Sequence, residues 1–185
     1  MNPRSLLRPS ALSLAAALSL LSEINLNSSS SLRAESPVAS TTASNELPVL
    51  GEAPAWNLVT LDGKPIGRDQ LIGKTVVIDF WATWCGPCIH EIPGYVALQK
   101  KYAERGLVIV GVSVDRKGET VVPPFAKKMS INYPLALATQ DVIEAFGGIE
   151  AIPTTLLIDR EGKIRHRKVG AMETEDYEKH LIPLL

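Results

Sequence analysis

An apolar run, Thr75-Val76-Val77-Ile78-Asp79-Phe80-Trp81, leads directly into Cys85-Gly86-Pro87-Cys88, and a helix-like pattern follows. These are the only two cysteines among 185 residues. The β-branched and aromatic run has the character of a buried strand. Pro87 suits the first turn of a helix, where its missing N–H is not needed. The chain must therefore build a strand, a tight turn and a helix in succession, with both sulfurs at the junction.

That junction is suited to disulfide exchange. The reactive species is a thiolate. A helix N-terminus favours one through its unpaired N–H groups and its dipole. Cys85 would stand just before the helix and act as nucleophile. Cys88, in the first turn, would resolve the mixed disulfide. Half of a four-ligand zinc site would need further ligands, and His90, His166 and His180 stand at no zinc-motif spacing. A buried structural disulfide and a pair of inert thiols are the other bland alternatives. A redox pair fits a C-x-x-C beside a β-α-β pattern better than any of these.

Phe80-Trp81-Ala82-Thr83-Trp84-Cys85-Gly86-Pro87-Cys88 resembles the active-site segment of the thioredoxin superfamily. Continuation to Glu91-Ile92-Pro93 makes it most similar to the TlpA/ResA-like exported thiol-disulfide oxidoreductases, an AhpC/TSA-like thioredoxin-fold branch. Gly51-Glu52-Ala53-Pro54, Leu61-Asp62-Gly63-Lys64, Gly111-Val112-Ser113-Val114-Asp115, Ile152-Pro153-Thr154-Thr155 and Ile158-Asp159 follow in the family's order. The resemblance implies a thioredoxin fold: a central mixed β-sheet flanked by helices, with an N-terminal β-hairpin near residues 56–65 and an insertion near 120–137.

Two segments share the chain. Residues 1–45 contain Arg4 and Arg8, then a short apolar run from Ala11 to Leu21, then a Ser-rich stretch. The run is short for a bilayer span and suits a signal-peptide core. The segment is expected to be a signal peptide or membrane anchor followed by a linker without a fold of its own; a transit peptide is a third option. Residues 46–185 are long enough for one domain with a real core. A net charge of −1 gives no reason to expect a nucleic-acid partner. The protein is expected in the periplasm or another extracytoplasmic space, secreted or tethered, as a monomer.

Within the domain, periodicity predicts strands at 75–81, 107–114, 133–137, 154–159 and 163–169, the last two a hairpin. Helices are expected at 87–105, 120–129, 140–146 and 173–181. Ile89, Ile92, Val96 and Tyr102 are the expected apolar face of the first helix, with a kink at Pro93. The basic group Arg160, Lys163, Arg165, His166, Arg167 and Lys168 reads as a solvated sheet edge that discourages aggregation. A docking patch for an acidic partner is the alternative.

Several residues are candidates to support the cysteines. Asp79 interrupts an apolar strand, and a buried carboxylate is costly unless paired or protonated. Either it occupies a wet edge or it accepts the proton of Cys88; thioredoxin's acid at this strand position favours the second. Glu91 lies one helical turn past Cys88. It is either a surface residue or, as the family branch implies, an acid near the thiols, and the two titrations would then be coupled. Trp84, Gly86, Pro87, Ile152 and Pro153 are the expected substrate-binding residues. The resemblance implies that Pro153 is cis and that the Ile152 backbone pairs with an extended client segment. Trp81 belongs to the core and Trp84 to the rim. His90 is adjacent but is assigned no role.

No cofactor or metal is expected beyond a redox-active Cys85–Cys88 disulfide. The expected function is reduction of disulfides in exported client proteins, for example in cytochrome c maturation, with a membrane thiol carrier as electron donor. A disulfide-forming oxidant, a thiol peroxidase and a non-enzymatic copper chaperone are the alternatives.

Overall fold

The computed structural model describes residues 47–185. The expected signal peptide or anchor and its linker lie outside the described residues. Along the chain come β1 (Gly51–Glu52), β2 (Asn57–Val59), β3 (Pro65–Gly67) and a short α1 (Arg68–Leu71). The strand before the cysteines is β4 (Thr75–Trp81), and α2 (Gly86–Tyr102) follows them. Then come β5 (Leu107–Ser113), α3 (Gly118–Met129), β6 (Leu135–Leu137), α4 (Gln140–Ala145), β7 (Thr154–Ile158), β8 (Lys163–Val169) and α5 (Thr174–Leu181).

Six strands form one mixed sheet in the order β1-β8-β7-β4-β5-β6, and β2 and β3 form a separate hairpin. β4 pairs in parallel with β5 and antiparallel with β7. A central strand covered on both faces must be apolar on both, and every residue of β4 is buried. Alternation splits it between two cores. Val76, Ile78 and Phe80 pack with Val110, Val112, Val142 and Phe146. Val77 and Trp81 pack with the helix residues Ile92, Tyr95 and Leu98, and with Tyr177 and Leu181 of α5. Asp79 stands between Val77 and Trp81, so the same alternation turns it toward α2 and α5.

The first helix runs on through Pro93 as one element. Its buried face consists of Cys88, Glu91, Ile92, Tyr95, Leu98 and Tyr102. Ile89 and Val96, expected on that face, are only half-buried. The phase is set by Cys88, whose sulfur must turn inward, and steps of three and four residues from it reach Tyr95 instead. Gly94 lets α5 approach closely: a Cβ there would meet Thr174 Oγ1 at 2.0 Å. Beyond α2 a short 3₁₀ turn closes at Gly106, which adopts φ 91°, a left-handed conformation that favours glycine.

The basic strand is the expected solvated edge only in part: Arg160 and Arg167 are exposed, but one end of β8 is covered and Arg165 is buried. β1 lies outside β8, pairing Gly51 with Ile164 and Glu52 with Lys163. Alternation turns Arg165 inward, where it is 7% exposed. Its guanidinium donates to Asp159 Oδ2 at 3.0 Å and to the Leu47 carbonyl. Arg167 donates to the carbonyls of Phe146 and Gly148. Charge composition alone could not show that these cations pin neighbouring backbone. Removing one partner of a buried ion pair strands the other charge, so Arg165→Ala should cost about 3–5 kcal/mol. Urea denaturation followed by circular dichroism measures it.

Candidate active site

The turn after β4 brings the cysteines together because the helix begins at Gly86. Cys85 is its N-cap, and its sulfur accepts the Cys88 N–H at 3.3 Å. The two sulfurs form a disulfide with Cα atoms 5.3 Å apart. Cys88 is 1% exposed and Cys85 6%, so Cys85 is the more accessible sulfur. Gly86 and Pro87 are exposed beside it, and Trp84 stands out at 69%. The loop that carries Trp84 is fastened by Asp115, whose carboxylate accepts from the Thr83 N–H and hydroxyl at 2.9 and 2.8 Å. It also accepts from the Ser113 hydroxyl at 2.9 Å.

The Ile152–Pro153 peptide is cis. Pro153 is buried, and Ile152 is half-buried against the core cluster that contains both cysteines. His90 is exposed.

Both acids are buried, Asp79 at 2% exposure and Glu91 at 5%. The wet-edge alternative for Asp79 therefore does not hold. Burial, with the Glu91 charge added, pushes the Asp79 carboxyl up to about 8. Burial also raises Glu91, opposed first by the Met172 N–H, which donates to its Oε1 at 2.8 Å. Its Oε2 has no hydrogen-bond partner among the described residues. Two carboxyls that both resist ionisation, one sensing the other, form a reservoir for a proton near neutral pH.

Three residues around these acids were not legible as site residues in the sequence. Thr155 faces Asp79 across the β4–β7 register and donates to Asp79 Oδ1 at 3.4 Å. Tyr177, from α5, donates to Thr155 Oγ1 at 2.9 Å. Tyr95, from α2, lies 3.1 Å from the same oxygen. The spacing of Tyr95 from Cys88, two helical turns, was the one available signal. Among the described residues no three side chains of metal-ligating type converge.

This arrangement supports the exchange of two electrons between a dithiol and a disulfide, with a buried acid to take up a proton. Comparison with known proteins points the same way. The AhpC/TSA family profile matches residues 49–167. Thiol-disulfide oxidoreductase ResA of a Bacillus cereus strain is 35% identical over 130 residues, which cover 70% of this chain and 75% of that one. Thioredoxin-like protein YneN of Bacillus subtilis (strain 168) is 35% identical over 131 residues, or 70% and 76% of the two chains. A thiol:disulfide interchange protein of the thioredoxin family from Chlorobium tepidum TLS superposes with a TM-score of 0.68 at 37% identity, covering 72% of this chain and 95% of that one. The fold is thus the expected thioredoxin fold, and the chain belongs to the AhpC/TSA family as one of its thioredoxin-like thiol-disulfide oxidoreductases.

Proposed function

We propose that the enzyme works as a reductant of disulfides in exported client proteins, with Cys85 as nucleophile and Cys88 as resolving thiol. The observation that carries the assignment of roles is the placement of Cys85 at the N-cap of α2, more accessible than Cys88. The Cys85 thiolate attacks one client sulfur. The client S–S bond breaks, a mixed disulfide forms, and one client thiolate leaves. Cys88 then loses its proton to the ionised form of Asp79, with Glu91 setting how readily Asp79 gives up and regains that proton. The Cys88 thiolate attacks the Cys85 sulfur and releases the second client thiol. Two electrons have passed to the client, and Cys85–Cys88 is a disulfide again. A membrane thiol carrier returns it to the dithiol.

Trp84, Gly86, Pro87 and the Ile152–Pro153 segment form the surface on which an extended client strand lies. The Gly-Pro pair between the cysteines, which is that of reducing thioredoxin, supports the direction of electron flow. The extracytoplasmic location is supported by the N-terminal sequence, a short apolar core after two arginines. Cytochrome c precursors are one client class that this location would offer.

The identity of the clients is testable by trapping. In the native cell, Cys88→Ser should accumulate mixed disulfides through Cys85 with exported proteins. Recovery of none, with Cys85 accessible to alkylation, contradicts the reductase reading. Trp84→Ala should raise KM for a protein disulfide several-fold while leaving reaction with a small disulfide nearly unchanged. Because the indole is solvent-exposed, stability should move by no more than about 0.5 kcal/mol. Steady-state kinetics with the two substrates, beside a urea titration, checks both.

A further inference from the structure

The buried hydroxyl of Thr155 is bonded to its full capacity. A threonine hydroxyl has one proton to donate and two lone pairs to accept with. Its oxygen lies 3.4 Å from Asp79 Oδ1, 2.9 Å from the Tyr177 hydroxyl and 3.1 Å from the Tyr95 hydroxyl. A carboxylate can only accept, so the single Thr155 proton goes to Asp79. Around an ionised Asp79, both tyrosines then donate to Thr155. Burial raises both phenols above their ordinary range, which keeps them protonated as donors.

We propose that Thr155 is a positioning residue for Asp79, made a donor only by Tyr95 and Tyr177, so that the exchanged proton is carried on Asp79 Oδ2. The proposal rests on Asp79 being the proton acceptor of the active site. With both lone pairs of Thr155 occupied, a protonated Asp79 cannot donate to it from Oδ1. The hub therefore favours the carboxylate and opposes the upward push of burial, and it leaves Oδ2 to take up the proton. Three elements contribute: α2 through Tyr95, β7 through Thr155 and α5 through Tyr177. Glu91 from α2 and Tyr133 from the segment before β6 also sense Asp79, and in the reduced protein the Cys88 thiol, its proton donor in the proposed reaction, titrates with them. None of the three is bonded to Thr155. Withdrawal of α5 would remove the Tyr177 donor, so the packing of the last helix bears directly on the proton acceptor.

The test is a ¹³C NMR titration of the Asp79 carboxyl in the reduced full-length protein, with Asp79→Asn used to assign the signal. Thr155→Val keeps the shape and removes the hydroxyl, and it should move the midpoint up by roughly half to one pH unit. Thr155→Ser should return to the wild-type midpoint. Tyr177→Phe leaves Thr155 in place and frees one lone pair, so it too should raise the midpoint. An unchanged or lowered midpoint in Thr155→Val, or a Thr155→Ser variant that behaves like it, overturns the proposal. The acceptor role of Asp79 is read separately, from the rate at which Cys88 resolves a preformed mixed disulfide in Asp79→Asn. An unslowed rate there removes that role while the NMR midpoints still report on the hub.

Discussion

Cys85→Ser should abolish disulfide reduction, with turnover falling by at least roughly a thousandfold, while Cys88→Ser still performs the first attack and stops. The difference follows from the two environments. Cys85 occupies the helix N-cap and retains some exposure, whereas Cys88 is closed off inside the first turn. An attack on a client must come from the accessible sulfur, and resolution only has to cross to a neighbour in the same turn. Insulin reduction measures the loss in Cys85→Ser. Intact-mass spectrometry after addition of a peptide disulfide measures the adduct on Cys88→Ser. An adduct that forms on Cys88 in Cys85→Ser as quickly as on Cys85 in Cys88→Ser would reverse the assignment.

Asp79→Asn should give the second large effect, and in two directions. The folded carboxyl titrates at about 8, against an ordinary value of 3.8. Between these values the folded state holds a proton that the unfolded chain releases. Stability must therefore fall as pH rises through that window. The penalty is absent below about pH 4, grows to about pH 8 and is then constant. At pH 7 it amounts to as much as about 4 kcal/mol, taking roughly 1.36 kcal/mol per unit. Asparagine has no such charge to bury, so the variant should be more stable than the wild type near neutral pH, and equal to it near the ordinary carboxylate range. Its turnover should drop roughly ten- to a hundredfold, since the proton acceptor is gone. Denaturant titrations at several pH values, paired with turnover, test both effects. A variant less stable than wild type at neutral pH would contradict the placement of a costly charge at this position.

Such a trade of stability for activity explains why an acid interrupts an otherwise apolar central strand. The interruption itself was visible in the sequence, because Asp79 breaks a run of strand-forming residues. The strand at residues 75–81 and the strand at 163–169 were also legible to the residue, since burial on both faces and tight turns leave strong local signals. The first helix was legible in extent but not in phase. Ile89 and Val96 had the composition of core residues, and only the inward turn of Cys88 shows that Tyr95 and Leu98 take that place.

The remainder depended on tertiary register. Thr155 meets Asp79 because β7 runs antiparallel beside β4, and nothing in either segment announces that pairing. Tyr177 arrives from the last helix, which approaches α2 closely at Gly94. Arg165 looked like its charged neighbours until the alternation of β8 and the added strand β1 placed it inside. Local sequence thus marked the reacting groups, whereas the residues that tune them are assembled by strand order and helix packing.

Whether Cys85 and Cys88 form a reducing couple is decided by the midpoint potential of the pair, equilibrated against glutathione and dithiothreitol buffers. A reductant should show a value on the order of −270 mV, where thioredoxin lies. A value near about −120 mV, where the strong oxidant DsbA lies, would contradict that reading.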